Sequence, residues 1–316
     1  MKVAILGLGV IGTTYAYAFQ KAGHETFHIL RDGKRDIPFE ISVHLLDGRY
    51  NSKGEEKDGT YNVSLANENE EFDFIFVSVA SGNLNNALAT IHKRNIKGTI
   101  VLFCNFWSER KEIEQIVGNL PYIIAFPTAG GHMNDGWNLN CVLFDHIMLE
   151  SEEKAQIDNY SDLIALLTSA DIKQEIPFDM LEWIWIHMAI NAGVTSTAGR
   201  NGEIDNPNKL AKELMSDAKA LKLAVKSIRE TLKVVEGRGV NLGLYKNELL
   251  PYKIPAWLAG ILMKKLFSSN ELTYRIMTLH SDVNDILYGC KCVYDEGKKQ
   301  GLELPLFYKN LERILE

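Results

Sequence analysis

Hydrophobic and polar positions divide the chain into two regimes. The chain opens on a short apolar run, 2–6 (KVAIL), closed by glycine, which reads as a buried strand. Ile11 to Ala22 then reads as a helix with Gly23 as its stop, and 25–30 (ETFHIL) as a second strand. This is a β-α-β unit, the smallest parallel crossover. The alternation goes on through a strand at 72–79, a helix at 84–94, a strand at 99–104, a helix at 108–117 and a strand at 122–126. Segments near 140–149 and 171–176 read as further strands. Strands alternating with helices predict a parallel, doubly wound sheet. After about residue 176, near Pro177, helical periodicity takes over at 179–198, 207–236, 254–267 and 271–300. The expected organisation is an α/β domain over 1–176 and a mostly α-helical domain over 177–316.

Composition narrows the class without naming a substrate. The 316 residues carry a net charge of -7, which gives a nucleic-acid partner no electrostatic support. Four scattered cysteines, Cys104, Cys141, Cys290 and Cys292, form no disulfide framework and point to a reducing compartment. Cys290 and Cys292 sit two apart in a helical pattern, face different ways and have no partner at zinc-site spacing, so no metal is expected. The apolar first twenty residues are interrupted by glycines at 7, 9 and 12 and lack a cleavage site. The run 254–267 is too short to span a bilayer and is broken by Lys264 and Lys265. The expectation is a cytoplasmic protein with no membrane partner. The 254–267 run reads equally as a homodimer surface or a core helix.

Gly7-Leu8-Gly9-Val10-Ile11-Gly12 has the G-x-G-x-x-G form between a strand and a helix, the context that makes the motif specific. Gly7 permits the tight turn, Gly9 lets backbone approach a pyrophosphate, and Gly12 lets the helix pack close to the strand. The helix start then faces the phosphates with unpaired N–H groups. The expected fold is a Rossmann domain, with Gly7, Leu8, Gly9, Val10, Ile11 and Gly12 as cofactor contacts. The second strand ends Leu30-Arg31-Asp32, with Lys34 and Arg35 beyond. A planar guanidinium suits a 2′-phosphate, so Arg31 favours NADP(H), with Asp32 dissenting. Val79 and Ala80, ending the strand at 72–79, and Asn105, after the strand at 99–104, are further cofactor candidates. Thr128-Ala129-Gly130-Gly131 follows another strand at the same expected edge.

These features resemble the ketopantoate reductase (2-dehydropantoate 2-reductase) family nearly end to end. That family has the same glycine turn, an Arg where Arg31 stands, and an Asn that Asn105 matches. Its second domain opens on a helix reading Trp-x-Lys-Leu-x-x-Asn-x-x-x-Asn, followed by Asn-Gly-Glu. Here Trp183 to Asn191 is followed by Asn201-Gly202-Glu203. Asn191 and Asn201 are kept, the middle Asn has become His187, and the lysine falls on Trp183. Thr273 and Asp285 match a hydroxyl residue and a Glu twelve residues apart. The resemblance implies a two-domain fold like that of 6-phosphogluconate dehydrogenase and NADP(H)-dependent hydride transfer to a 2-oxo acid or related carbonyl.

The family's lysine donates a proton to the nascent alkoxide, which an indole cannot do. Trp183, His187 and Asn191 lie at i, i+4 and i+8, on one helix face. The expected catalytic residues are His187 as general acid, Asp285 orienting it, and Asn191. Trp183, Asn191, Asn201 and Thr273 are expected to bind the small-molecule substrate. Trp183 itself reads either as core or as a wall favouring a flatter, more apolar substrate. His280 reads as capping or solvated more readily than as a site residue. Two other readings stand: a dehydrogenase acting on a 2-hydroxy acid or an imine or opine, and a dinucleotide sensor lacking its acid.

Overall fold

In the computed structural model, which describes residues 1–31, 33, 37–80, 82–279 and 283–316, the chain divides into two units, Met1–Met180 and Leu181–Glu316. The first begins with β1 (Lys2–Leu6), α1 (Val10–Lys21) and β2 (Glu25–Ile29). A hairpin of β3 (Glu40–Asp47) and β4 (Glu55–Asn62) then replaces the helix expected of a crossover. Alternation resumes with β5 (Glu71–Val77), α2 (Leu84–Lys93), β6 (Lys97–Phe103), α3 (Arg110–Val117) and β7 (Tyr122–Phe126). The unit closes through β8 (Ala129–Met133), β9 (Asn138–Leu143), β10 (His146–Leu149), α4 (Glu152–Ala155), α5 (Tyr160–Ser169) and β11 (Lys173–Glu175).

The main sheet has seven strands in the order β11-β10-β7-β6-β5-β1-β2. β2, β1, β5, β6 and β7 run parallel, as the βαβ pattern predicts. β10 runs antiparallel to β7 and carries β11 beside it. A second sheet of order β4-β3-β9-β8 was not anticipated. The segment 140–149 therefore does not act as one element. β9 joins the second sheet and β10 the first, parted where the Phe144 N–H bonds to the Thr128 carbonyl at 3.0 Å.

α1 packs against β1 and β2 of one sheet and β8 and β9 of the other. Every residue from Gly12 to Phe19 is consequently buried, which suits a helix apolar nearly all round. Tyr15 and Phe19 are fully buried in a core joining Ile5 and Phe76 to Ile41, Leu45 and Cys141. Each such aromatic contributes roughly 1.5–3 kcal/mol relative to exposure.

The second unit is helical: α6 (Met180–Ala198), α7 (Pro207–Ser216), α8 (Ala218–Gly237), α9 (Lys246–Lys253), α10 (Ala256–Ser269), α11 (Glu271–Leu279), α12 (Val283–Lys299) and α13 (Pro305–Leu315). The stretch 207–236 is two helices rather than one. Asp217 is extended and accepts from the Lys219 N–H, so it ends α7 and caps α8. α10 turns its small residues Ala256, Ala259 and Gly260 inward, while Trp257, Ile261, Leu262 and Leu266 stay about half exposed. Among the described residues, no helix is long and apolar enough to cross a membrane.

Candidate functional site

The strand register brings the first unit's predicted residues to one edge. Ile5 pairs with Phe76, Phe76 with Val101, and Leu6 with Ile29. The carboxyl ends of β1, β2, β5 and β6 are therefore neighbours, and they carry Gly7, Arg31, Val79, Ala80 and Asn105. Strand order reverses at β1, with β2 added on one side and β5 on the other, so this edge is the topological switch point where such sheets bind ligands. Asp32, Lys34 and Arg35 lie outside the described residues, as does His280.

The glycine turn is held from below. Gly7 has φ +85°, a left-handed conformation that costs glycine little. Its N–H donates to the Ile29 carbonyl at 2.8 Å, and its own carbonyl meets His28 Nδ1 at 2.6 Å. A Cβ on Gly12 would lie 2.5 Å from Ile5 Cγ2, so the helix sits as close to the strand as a glycine allows. A Cβ on Gly9 would meet nothing within 4 Å. Gly9 is also the N-cap of α1, without a side-chain cap and without an acidic residue in the first turn. The turn thus presents open space and backbone N–H groups suited to a pyrophosphate. β8 comes against this turn, with a Cβ on Gly131 placed 2.9 Å from Val10 Cγ1. Asn105 Oδ1, just past β6, is buried without a hydrogen-bond partner among the described residues, so it has an acceptor to offer a ligand. These residues fit a dinucleotide.

His28 is the residue that sequence reasoning missed. It is fully buried, and its Nε2 meets the Tyr61 hydroxyl of β4 at 2.7 Å. The signal was a histidine between the apolar residues Phe27 and Ile29 of β2.

In the second unit, α6 brings together three predicted residues. The rings of Trp183 and His187 stack at 5.2 Å with 13° between planes, and Asn191 Nδ2 donates to His187 Nε2 at 2.8 Å. Burial pushes the His187 imidazole down to about 4, so it is neutral at pH 7. All three line a cavity of about 300 Å³ within this unit. Asn201, Thr273 and Asp285 do not line it. Asn201 is exposed in the turn after α6, Thr273 donates its N–H to Asn270 Oδ1 at the start of α11, and Asp285 lies in the first turn of α12. Cys290 is buried on α12, and burial pushes its thiol up to about 12.

A glycine turn at the switch point of a parallel sheet, followed by a separate helical unit, defines the class: a dinucleotide-dependent oxidoreductase of two units. Residues 3–143 match the family described as ketopantoate reductase PanE/ApbA, the resemblance read from the sequence. No curated protein sequence matches the chain. Solved structures share the fold end to end. D-mandelate dehydrogenase with NADH and anilino(oxo)acetate is 18% identical, with 100% of this chain and 97% of that one covered and a TM-score of 0.68. The 2-dehydropantoate 2-reductase from Geobacter metallireducens GS-15 is 13% identical, with coverage of 100% and 99% and a TM-score of 0.67. A dimeric ketopantoate reductase from Staphylococcus aureus is 15% identical, with coverage of 100% and 98% and a TM-score of 0.62.

Proposed function

We propose that the chain is an NADP(H)-dependent oxidoreductase interconverting a 2-oxo acid, or a related carbonyl compound, and its 2-hydroxy counterpart. The observation that carries this is the glycine turn: Gly7 pinned by two hydrogen bonds, with open space at Gly9 over an uncapped helix start. In this reading residues 1–176 hold the dinucleotide and 177–316 the substrate. The bound nicotinamide supplies or takes up the hydride. Arg31, exposed beyond β2, pairs with the 2′-phosphate, and Asn105 Oδ1 accepts a hydrogen bond from cofactor or substrate. A structure of this fold is named with NADH, so Arg31 rather than the fold carries the NADP assignment.

His187 moves the proton. Its neutral resting state suits it to take a proton from a substrate hydroxyl that replaces Asn191 Nδ2 at Nε2, which favours the 2-hydroxy acid direction. In carbonyl reduction the same ring must first be protonated, at a cost that grows as pH rises above about 4. Asn191 orients the ring, Trp183 forms a flat wall, and Asn201, Thr273 and Asp285 are substrate or positioning groups. A homodimer through the exposed face of α10 belongs to the same reading.

Titration of the purified chain with NADPH and NADH tests the cofactor. Ketopantoate and a panel of 2-oxo and 2-hydroxy acids, followed at the reduced-nicotinamide absorbance, test the reaction. The expected result is tighter binding of NADPH, with turnover of at least one panel member. Binding of neither nucleotide sinks the proposal.

A further inference from the structure

We infer that the cavity in the helical unit is the pocket for an uncharged hydrocarbon side chain of the substrate, phenyl-sized or slightly larger. This rests on the oxidoreductase reading and adds the substrate class. An apolar cavity of about 150 Å³ holds a benzene ring. The cavity here is about 300 Å³, room for a ring and a few further heavy atoms. Its walls are hydrocarbon and thioether: Ile186 and Ile190 from α6, Met215 from α7, Met263 and Phe267 from α10, and Met277 from α11. Methionines adapt to irregular shapes and make favourable contacts with ring edges.

Charge decides what stays out. Among the described lining residues there is no lysine or arginine, and the charged one is Glu248. A second carboxylate or a phosphate on the side chain, buried there, would find no cation among these residues and would face a like charge. The polar groups of the α6 wall are Asn191 and His187, hydrogen-bonded to each other, with His187 stacked on Trp183. The reacting oxygen belongs at that pair, and the side chain belongs against the indole and the methionines.

Steady-state turnover by the whole chain with NADPH tests this on pyruvate, 4-methyl-2-oxopentanoate, phenylglyoxylate, ketopantoate and 2-oxoglutarate. At about fourfold per buried CH₂, phenylglyoxylate should exceed pyruvate in kcat/KM by on the order of 10²-fold or more. 2-Oxoglutarate should be the poorest substrate. Val194→Phe adds a ring to the cavity wall and should lower the phenylglyoxylate-to-pyruvate ratio at least about tenfold, as overfilling a hydrophobic pocket does. Calorimetric titration of the unmutated chain with phenylglyoxylate and with 2-oxoglutarate reads the pocket without turnover. Preferential binding of phenylglyoxylate with no turnover of any substrate would keep the pocket and refute the reaction. Turnover that favours 2-oxoglutarate or ketopantoate, or a ratio unmoved by Val194→Phe, would refute the pocket and keep the reaction.

Discussion

His28 Nδ1 lies 2.6 Å from the carbonyl oxygen of Gly7, so the conformation of the glycine turn is read out by a buried ring one strand away. A carbonyl only accepts, so Nδ1 carries the proton, and Nε2 accepts from the Tyr61 hydroxyl at 2.7 Å. β4 of the second sheet is thereby tied to the turn through one imidazole. His28→Phe removes the ring donor from the Gly7 carbonyl and leaves the Tyr61 hydroxyl only its longer contact with Thr26 Oγ1, at 3.2 Å. The expected loss is roughly 2–4 kcal/mol of stability, together with weaker NADPH binding. Tyr61→Phe leaves the Gly7 contact in place and should cost about 1–3 kcal/mol with a smaller effect on binding. Urea midpoints and NADPH titrations of both variants check this, and wild-type behaviour of His28→Phe counts against it.

Gly9 and Gly12 should fail in opposite ways. A Cβ at Gly9 meets no protein atom, so Gly9→Ala should cost at most about 1 kcal/mol of stability yet weaken NADPH binding by on the order of tenfold or more. A Cβ at Gly12 runs into Ile5, which is fully buried on β1, so Gly12→Ala should cost about 1–3 kcal/mol. Thermal melts paired with dinucleotide titration separate the two. Equal losses of stability in both variants would contradict the reading of Gly9 as ligand space.

Arg31→Ala should weaken NADPH by roughly 10–100-fold, the worth of a charge-assisted pair, and leave NADH within about threefold. Fluorescence titration of both nucleotides measures this. A parallel fall for NADH would mean that Arg31 supports the fold and does not select the phosphate.

His187 makes stability depend on pH in a defined window. Its folded value is about 4 against 6.5 in the unfolded chain, so between these values the unfolded state takes up a proton that the folded state refuses. The stabilisation is complete above about pH 6.5 and is lost as pH falls towards 4, by at most on the order of 3 kcal/mol. His24 shifts in the same direction, so the quantity to read is the difference between the parent and His187→Gln in urea midpoints at pH 7 and pH 5. The parent should lose more. Asn191→Ala removes a donor that favours the neutral ring and should raise the His187 titration point, visible in its imidazole proton resonances.

Local rules carried the sequence far. Short apolar runs, glycine stops and 3.6-residue periodicity located the parallel strands, α1 and the helical second half, because each of these elements reports its burial in its own residues. The G-x-G-x-x-G turn was legible for the same reason: its chemistry sits in six consecutive residues. The alternation of Ile41, Val43 and Leu45 was also present, and these residues face inward on β3. β4 gave no such signal, since Tyr61 is its one buried residue, and its strand conformation comes from pairing with β3. Tertiary structure decided that β9 and β10 belong to different sheets, because register depends on partners far along the chain. It decided that His28 supports Gly7, a contact made between strands. It also decided that Trp183, His187 and Asn191 face a largely apolar cavity, whose size and whose lining, without lysine or arginine among the described residues, follow from six helices meeting and from no single stretch of residues.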